Sequence, residues 1–258
     1  MKNHFYMPYK GNKRQEVEGI FNEINFENIT TVVEPFCGSC AMSYYISTQY
    51  TGIKYILNDN NSFLKDMYEI MIDEDKLTFF ENKINEILSI IKNSREEYEK
   101  FTRTTKEKPI NIYKWFISNK YYSIRPGLFN MNPNSYKPLD LKTYPIYEFF
   151  INNDIEFTND AGIDVYEKYI NDEQNLILLD PPYLSSANHF YTDANTNIYE
   201  HLFNNAIEDV EAQILLILED IWIIKLLFQN NINDDTVTYS KKYASTKKKT
   251  THIIIKNK

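Results

Sequence analysis

The sequence is poor in cysteine, with Cys37 and Cys40 as its two examples among 258 residues. Their CxxC spacing has no second pair and no neighbouring histidine to complete a zinc site, so a structural metal is not expected. A CxxC pair that opens a helix after a strand is also typical of thioredoxin-like redox proteins. That interpretation stays open until the glycine between the cysteines, Gly38, is explained.

Long apolar runs are also missing. No stretch of about 18 apolar residues is available to span a bilayer, and residues 1–5 lack the apolar region of a signal peptide. We therefore expect a soluble intracellular protein, located in the cytoplasm or wherever its substrate resides, and not a secreted one. The 258 residues, 43% of them hydrophobic, suit one sizeable globular domain or a domain with a large insertion.

Positive charge is in short supply. The formal net charge is -8, which is unfavourable for a protein that contacts nucleic-acid phosphates. Three local groups of basic residues oppose this balance, at 10–14, 95–108 and 241–249. Each is large enough to contact a phosphate backbone, although a solvated surface position is the simpler interpretation for any single lysine.

Seven short apolar runs rich in β-branched residues predict strands. They lie at 31–34, 53–57, 155–158, 176–179, 214–218, 236–239 and 252–255. Helical patterns occur at 16–24, 41–50, 198–210 and 221–228. This alternation predicts a doubly wound, Rossmann-like α/β fold with a seven-stranded, mostly parallel sheet. Residues 240–250 show no helical pattern, so we expect the last two strands to form an antiparallel hairpin.

The stretch 60–150 differs because it contains no buried-strand run. Its clearest helical spacing is that of Leu77, Phe80, Ile84, Ile87, Leu88 and Ile91. Residues 124–147 are rich in Pro, Asn and Tyr, which predicts a loop. We therefore expect a mainly helical subdomain at 60–150, inserted into a domain made of residues 1–59 and 151–258.

The predicted strand at 176–179 runs directly into Asp180-Pro181-Pro182-Tyr183. Ligands of open α/β sheets bind at the carboxyl ends of strands, so this tetrapeptide lies where a ligand is expected. Its two prolines fix φ and remove two N–H donors, which leaves carbonyls and a carboxylate as a rigid set of hydrogen-bond acceptors. Such a set suits an amino group. A proline turn with an Asp cap is the structural alternative.

The tetrapeptide resembles the catalytic motif of amino-methyltransferases, and the order of motifs resembles that of the alpha-type, Dam-like DNA adenine methyltransferases. In that family a Gly-Lys segment precedes the cofactor loop, a target-recognition insertion and the catalytic tetrapeptide. Residues 9–14, 34–39 and 60–150 occupy the first three places here, so the resemblance spans nearly the whole chain. It implies methyl transfer from S-adenosylmethionine to the exocyclic amino nitrogen of an adenine flipped out of DNA, with residues 180–183 as the catalytic group.

The resemblance also implies how the cofactor is held. The loop after the first strand would receive the methionyl group, Asp59 the ribose hydroxyls and Asp160 the adenine, with Asp164 as a rival to Asp160. Lys13 would lie near the methionyl carboxylate or the target base, with Tyr9 beside it. The implied cofactor-binding residues are Tyr9, Lys13, Glu34, Pro35, Phe36, Cys37, Gly38, Ser39, Asp59, Asp160 and Asp180.

Two of these positions also carry an argument from the residues themselves. Gly38 in a strand-to-helix loop allows close backbone approach to a ligand, although an ordinary turn is the alternative. The family has a second glycine two places later, where this chain has Cys40. Asp59 follows the second predicted strand, the place where α/β nucleotide sites put an acid on ribose hydroxyls, and capping the next helix is its competing role.

The resemblance implies double-stranded DNA as the partner and raises a cognate restriction endonuclease as a second one; no metal and no membrane is implied. The implied DNA contacts are Arg125, Asn130, Lys247 and Lys248. Solubilisation explains the two lysines equally well. Two alternatives stay open: methylation of an RNA or protein amide nitrogen, and a catalytically silent relative that binds nucleic acid or serves as a subunit.

Overall fold

The computed structural model describes residues 13, 16–21, 24–92, 94, 96–97, 100–101, 111–120, 138–183, 199, 201–202, 209–232, 236–242 and 249–257. The strands are β1 (Thr31–Glu34), β2 (Lys54–Asn58), β3 (Asp154–Thr158), β4 (Asn175–Leu179), β5 (Gln213–Glu219), β6 (Thr238–Lys242) and β7 (Lys249–Lys256). The helices are α1 (Val17–Phe21), α2 (Ala41–Ser47), α3 (Ser62–Met71), α4 (Glu74–Ile91), α5 (Ile112–Lys120), α6 (Pro145–Asn152), α7 (Gly162–Tyr169) and α8 (Trp222–Leu227). None of the helices in the described ranges is long and apolar enough to cross a membrane.

The strands form one sheet in the order β3-β2-β1-β4-β5-β7-β6. The first five strands pair in parallel, and β7 pairs antiparallel with both β5 and β6. This confirms the predicted fold class, including the closing hairpin. The chain switches direction across the sheet between β1 and β4, and open α/β sheets bind ligands at such a switch point.

Each face of the sheet carries its own hydrophobic cluster, because successive strand residues point to opposite faces. Val32 and Leu178 lie in a cluster with residues from α1 to α6. Val33 and Ile177, their direct neighbours in sequence, lie in a second cluster with residues from α7 and α8. Helices therefore cover both faces of the sheet, and every residue of β4 is buried at its centre.

Helix α4 has the amphipathic pattern that the sequence predicts. Asp73 caps its first turn by accepting the backbone N–H groups of Asp75 and Lys76. The buried residues of α4 are Leu77, Phe80, Ile84, Leu88 and Ile91. They belong to the same cluster as the sheet residues Val32 and Leu178, so the described part of 60–150 packs directly on the sheet. Its role as a target-recognition subdomain stays a prediction.

Two local predictions differ from the structure. The loop predicted up to residue 147 is wrong at its end, because α6 begins at Pro145. A proline at the first helical position loses no hydrogen bond, since that N–H has no partner within the helix. Helix α7 was not predicted at all; it has eight residues, and its buried side chains are Val165 and Tyr166. The helix predicted at 198–210 lies mostly outside the described residues.

Candidate functional site

The carboxyl ends of the parallel strands bring several polar side chains to one edge of the sheet. Glu34 ends β1, Asn58 ends β2, Thr158 ends β3 and Asp180 follows β4. Since these four strands are neighbours in the sheet, their carboxyl ends lie side by side at the switch point. We refer to this region as the carboxyl edge.

The loop from β1 to α2 has two residues in left-handed backbone conformation, Gly38 with φ of 47° and Cys40 with φ of 56°. The N–H of Gly38 donates to the Oδ2 atom of Asp59 across 3.0 Å. The left-handed turn and this hydrogen bond therefore account for a glycine at position 38. Cys40 occupies the place of the family's second glycine, and its positive φ is the physical reason why glycine suits that place.

The two thiols of this loop are buried, with Cys37 4% and Cys40 0% exposed. Burial is the largest cause that raises the pKa of both thiols above the ordinary value. Redox chemistry requires a thiolate, which burial in this setting disfavours. The structure therefore gives no support to the thioredoxin-like interpretation of the CxxC pair.

Glu34 is 1% exposed and accepts a hydrogen bond from the hydroxyl of Ser43 on α2. Burial raises its pKa from 4.5 to about 8, and the carboxylates of Asp180 and Asp59 add to the increase. The bond from Ser43 lowers the pKa but does not offset burial. Burial therefore favours the protonated form of Glu34.

Asp59 is 5% exposed, and its carboxylate accepts two backbone N–H groups, from Gly38 and from Asn61. Burial raises its pKa from 3.8 to about 6, and the two hydrogen bonds lower it in part. The side chain of Asn61, and not that of Asp59, caps α3 by accepting the N–H of Phe63. A carboxylate has about four acceptor positions, so Asp59 retains capacity for further donors.

Asp160 and Asp164 are both exposed, and both line a groove beside α7. Asp160 differs from its rival because its backbone N–H and carbonyl both bond to the side chain of Asn58. Gly162 follows closely and lets Phe36 approach, since a Cβ atom at this glycine would lie 2.5 Å from the Phe36 ring. The loop after β3 thus packs tightly on the loop after β1.

At the end of β4, the Asp180 carboxylate is contacted by two donors. The ammonium of Lys13 binds Oδ2, and the hydroxyl of Tyr183 donates to Oδ1 across 2.9 Å. Lys13 and Asp180 are 5% and 16% exposed, so this ion pair is shielded from solvent. The Lys13 ammonium also lies 5.1 Å from the centre of the Tyr183 ring, a cation–π distance.

Tyr183 is supported from the closing hairpin. The ring of the fully buried His252, on β7, lies 5.1 Å from that of Tyr183, and it stacks on Tyr239 of β6 at 4.9 Å. The hydroxyl of Tyr199 donates to the Pro182 carbonyl across 2.9 Å. The tetrapeptide is therefore fixed by contacts with three separate parts of the chain.

The structure brings together Lys13, the loop 34–39, Asp59, Asp160 and the tetrapeptide 180–183 at the carboxyl edge. Their roles in binding and catalysis stay predictions. The five other predicted residues, Tyr9, Arg125, Asn130, Lys247 and Lys248, lie outside the described residues. Across the described ranges, no group of three or more His, Cys, Asp or Glu side chains is arranged to hold a metal ion.

Sequence reasoning missed Ser43, Asn58, Gly162 and His252. Asn58 had a readable signal, because a polar residue at the buried end of an apolar strand needs hydrogen-bond partners. Gly162 had a weaker one, as a glycine shortly after a strand at the ligand-binding edge. His252 stands among residues of a strand pattern, and its contact with Tyr183 depends on how the hairpin packs.

Comparison with known proteins identifies the family of the chain. The family model described as D12 class N6 adenine-specific DNA methyltransferase matches residues 9–230. The chain is 22% identical over 271 residues to the Type II methyltransferase M.CviBI of Paramecium bursaria Chlorella virus NC1A, with 96% of this chain and 97% of that protein covered. The matched span includes Lys13, the loop after β1 and the tetrapeptide. The chain belongs to the D12 class of N6 adenine-specific DNA methyltransferases, enzymes whose reaction is methylation of adenine in DNA.

Proposed function

We propose that the tetrapeptide at the end of β4 holds the amino group of an adenine that has left the DNA duplex, at a site where S-adenosylmethionine binds next to it. The adenine amino nitrogen is a poor nucleophile because its lone pair is delocalised into the ring. Asp180 and the Pro181 carbonyl each accept one amino hydrogen, which localises the lone pair and directs it. Tyr183 stacks on the base, a contact worth about 1–3 kcal/mol per base.

One observation carries this proposal: an amine already occupies the acceptor site. The Lys13 ammonium donates to Asp180 and lies over the ring of Tyr183. These contacts occupy two of the three positions that the proposal assigns to the target adenine, the hydrogen bond to the Asp180 carboxylate and the face of the Tyr183 ring. Lys13 must withdraw when the base enters, and it then contacts either the methionyl carboxylate of the cofactor or the target base.

The residues of the carboxyl edge fit S-adenosylmethionine as the cofactor. Its ribose diol needs an acceptor, and Asp59 has remaining acceptor capacity beside the turn at Gly38. The methionyl group would be held by Lys13 and the loop 34–39, and the adenine by Asp160. When bound, the cofactor supplies a methyl group on a positively charged sulfur. The part of the chain's own residues is to hold in position the amino group that receives the methyl group.

DNA binding is assigned to residues beyond the described ones. Arg125 and Asn130 would contact DNA from the insertion at 60–150, and Lys247 and Lys248 would contact phosphates from the tip of the closing hairpin. A cognate restriction endonuclease is the proposed second partner. The similarity to a Type II methyltransferase supports that proposal, although nothing in the chain itself points to the endonuclease.

The proposal is tested by incubating the protein with S-adenosylmethionine and DNA and sequencing the DNA with detection of modified bases. We expect N6-methyladenine at a defined sequence. Asp180→Asn, which keeps the shape of the side chain, and Asp180→Ala should both abolish methylation while calorimetry still detects cofactor binding. Asp154→Asn is the matched control, because Asp154 is an exposed residue at the opposite end of β3.

Full activity of Asp180→Ala would contradict the assigned role of the tetrapeptide. Methylation of RNA or of a protein amide in place of DNA would move the activity to another substrate. A wild-type protein that binds no S-adenosylmethionine would be the catalytically silent relative.

A further inference from the structure

We infer that Asn58 is a positioning residue that holds Asp160 and the loop after β1 in fixed relation and thereby makes the site selective for a cofactor carrying adenine. The inference rests on the proposed function, in which Asp160 contacts the adenine of the cofactor. It adds a residue that touches neither the cofactor nor the DNA.

Asn58 makes four side-chain hydrogen bonds to two loops and one strand. Its Nδ2 atom donates to the carbonyls of Pro35, at 2.9 Å, and Asp160, at 3.1 Å. Its Oδ1 atom accepts the N–H of Asp160 and the hydroxyl of Thr158, both at 2.8 Å. The side chain is fully buried. One amide thus joins the loop after β1 to the end of β3 and the loop that follows it.

The amide uses its full capacity, two donors and two acceptor lone pairs. The backbone of Asn58 adds a fifth bond, because its carbonyl accepts the N–H of Cys37 across 2.8 Å. A smaller residue at this position would leave the N–H and carbonyl of Asp160 and the carbonyl of Pro35 without this partner. Buried polar groups that lose their partner are destabilised, so the two loops would move to find others.

The contact with Asp160 matters most because both of its backbone polar groups bind one side chain. These two bonds, one to each peptide unit that flanks the Asp160 Cα atom, fix the backbone of Asp160 and hence the direction of the Cα–Cβ bond that carries its exposed carboxylate. A carboxylate accepts hydrogen bonds only, so it favours the 6-amino group of adenine, a donor, over the 6-oxo group of hypoxanthine, an acceptor. Asn58 therefore acts on the choice of base through Asp160.

Thr158 provides a matched control. Its hydroxyl donates to the same Oδ1 atom of Asn58, but Thr158 makes no side-chain bond to Asp160 or Pro35 among the described residues. Thr158→Val removes one of the four bonds and leaves the three that join the loops. If the network had a purely structural role, the Asn58 and Thr158 variants would differ in their free energy of unfolding and not in their preference for adenine.

The test is calorimetric binding of S-adenosylhomocysteine and S-inosylhomocysteine, which differ at position 6 of the base, to wild type, Asn58→Ala, Asn58→Asp and Thr158→Val. We expect the wild type to prefer the adenine compound. The preference should fall by about tenfold or more in both Asn58 variants and persist in Thr158→Val. Thermal unfolding without ligand checks that each variant is folded. Asn58→Asp, of the same size, serves if Asn58→Ala does not fold.

Equal weakening of both compounds, with the preference unchanged, would overturn the inference and leave Asn58 a structural residue. So would failure of both Asn58 variants to fold. A wild type that binds neither compound would contradict the proposed function itself, and a wild type that binds both equally would contradict the role of Asp160.

Discussion

Cys40 is strained at the position where the family has glycine. Its φ of 56° is in the left-handed region, where a Cβ atom crowds the backbone, yet its side chain is fully buried in the core. The two effects oppose each other, because glycine would relieve the strain but remove buried apolar atoms.

A pair of variants separates these effects. Cys40→Ala removes the sulfur and keeps the strain, whereas Cys40→Gly removes both. We expect Cys40→Gly to have a free energy of unfolding about 1 kcal/mol higher than that of Cys40→Ala, although glycine buries fewer atoms. Urea unfolding measures the difference. Ala41→Gly, at the first residue of α2, is the control, and there glycine should lower the free energy of unfolding relative to alanine. If glycine also lowers it relative to alanine at position 40, strain at Cys40 is excluded.

Glu34 should make the stability of the protein depend on pH. The pKa of Glu34 is about 8 in the folded protein and near the ordinary 4.5 in the unfolded chain. Between these values the folded state binds a proton that the unfolded state has lost, so the free energy of unfolding falls as pH rises through this window. Below pH 4.5 both states are protonated and the effect disappears.

Glu34→Gln should remove this dependence. Relative to wild type, its free energy of unfolding should increase by about 2 kcal/mol or more between pH 5 and pH 9. The measurement is urea unfolding at both pH values without cofactor. Glu173→Gln changes an exposed carboxylate and serves as the control, with no relative change expected. If the difference in free energy of unfolding between Glu34→Gln and wild type does not change with pH, Glu34 is ionised in the folded protein.

At the scale of elements, α4 shows how the helical part of the chain is held to the sheet. Its buried stripe continues into the cluster that contains α5 and the sheet strands. A second tie comes from the Asn85 side chain, which donates to the carbonyl of Leu139 at 3.2 Å and accepts its N–H at 2.7 Å. These contacts predict that α4 and the sheet unfold together.

Leu88→Ala should lower the free energy of unfolding by about 3 kcal/mol, because Leu88 is fully buried in this cluster. Ile90→Ala, at a 52% exposed position of the same helix, should change it by less than about 0.5 kcal/mol. Trp115, in α5, lies in the same cluster as Leu88, so its fluorescence reports on this face of the sheet. Trp115 fluorescence and far-UV circular dichroism should show the same shift, and separate transitions would show that the helices fold independently.

For the whole molecule, the net charge of -8 sets a constraint on DNA binding. Two acids of the carboxyl edge, Glu34 and Asp59, are buried, and Lys13 pairs with Asp180. Attraction to phosphates must then come from local basic groups, so binding should depend strongly on salt.

Replacing Lys247 and Lys248 together with Gln should weaken DNA binding and reduce the slope of log affinity against log salt by about 2, if each contacts one phosphate. Fluorescence anisotropy at several salt concentrations gives the slope. Lys54→Gln is the control, because Lys54 lies at the amino end of β2, away from the carboxyl edge, and pairs with Glu156. An unchanged slope in the double variant would leave these lysines with a solubilising role.

Sequence by itself determined the strands, the fold class and the place of the tetrapeptide. Apolar periodicity follows from burial on a pleated strand, and the residue that ends an apolar run must lie at the strand's end. The positions of Asp180 and Asp59 could be predicted from the sequence in this way. The bounds of β2 and β6 differ from the predicted ones by one to three residues, because hydrogen bonding continues past the last apolar side chain.

Only the tertiary structure decided which side chains meet. Asn58 bonds to residues as far as 102 positions away, and Lys13 to one 167 positions away. Such pairings depend on the order of strands in the sheet, which no local pattern encodes. The same holds for Cys40, whose positive φ is invisible in a sequence, and for His252, which reaches Tyr183 only because the closing hairpin packs beside β5.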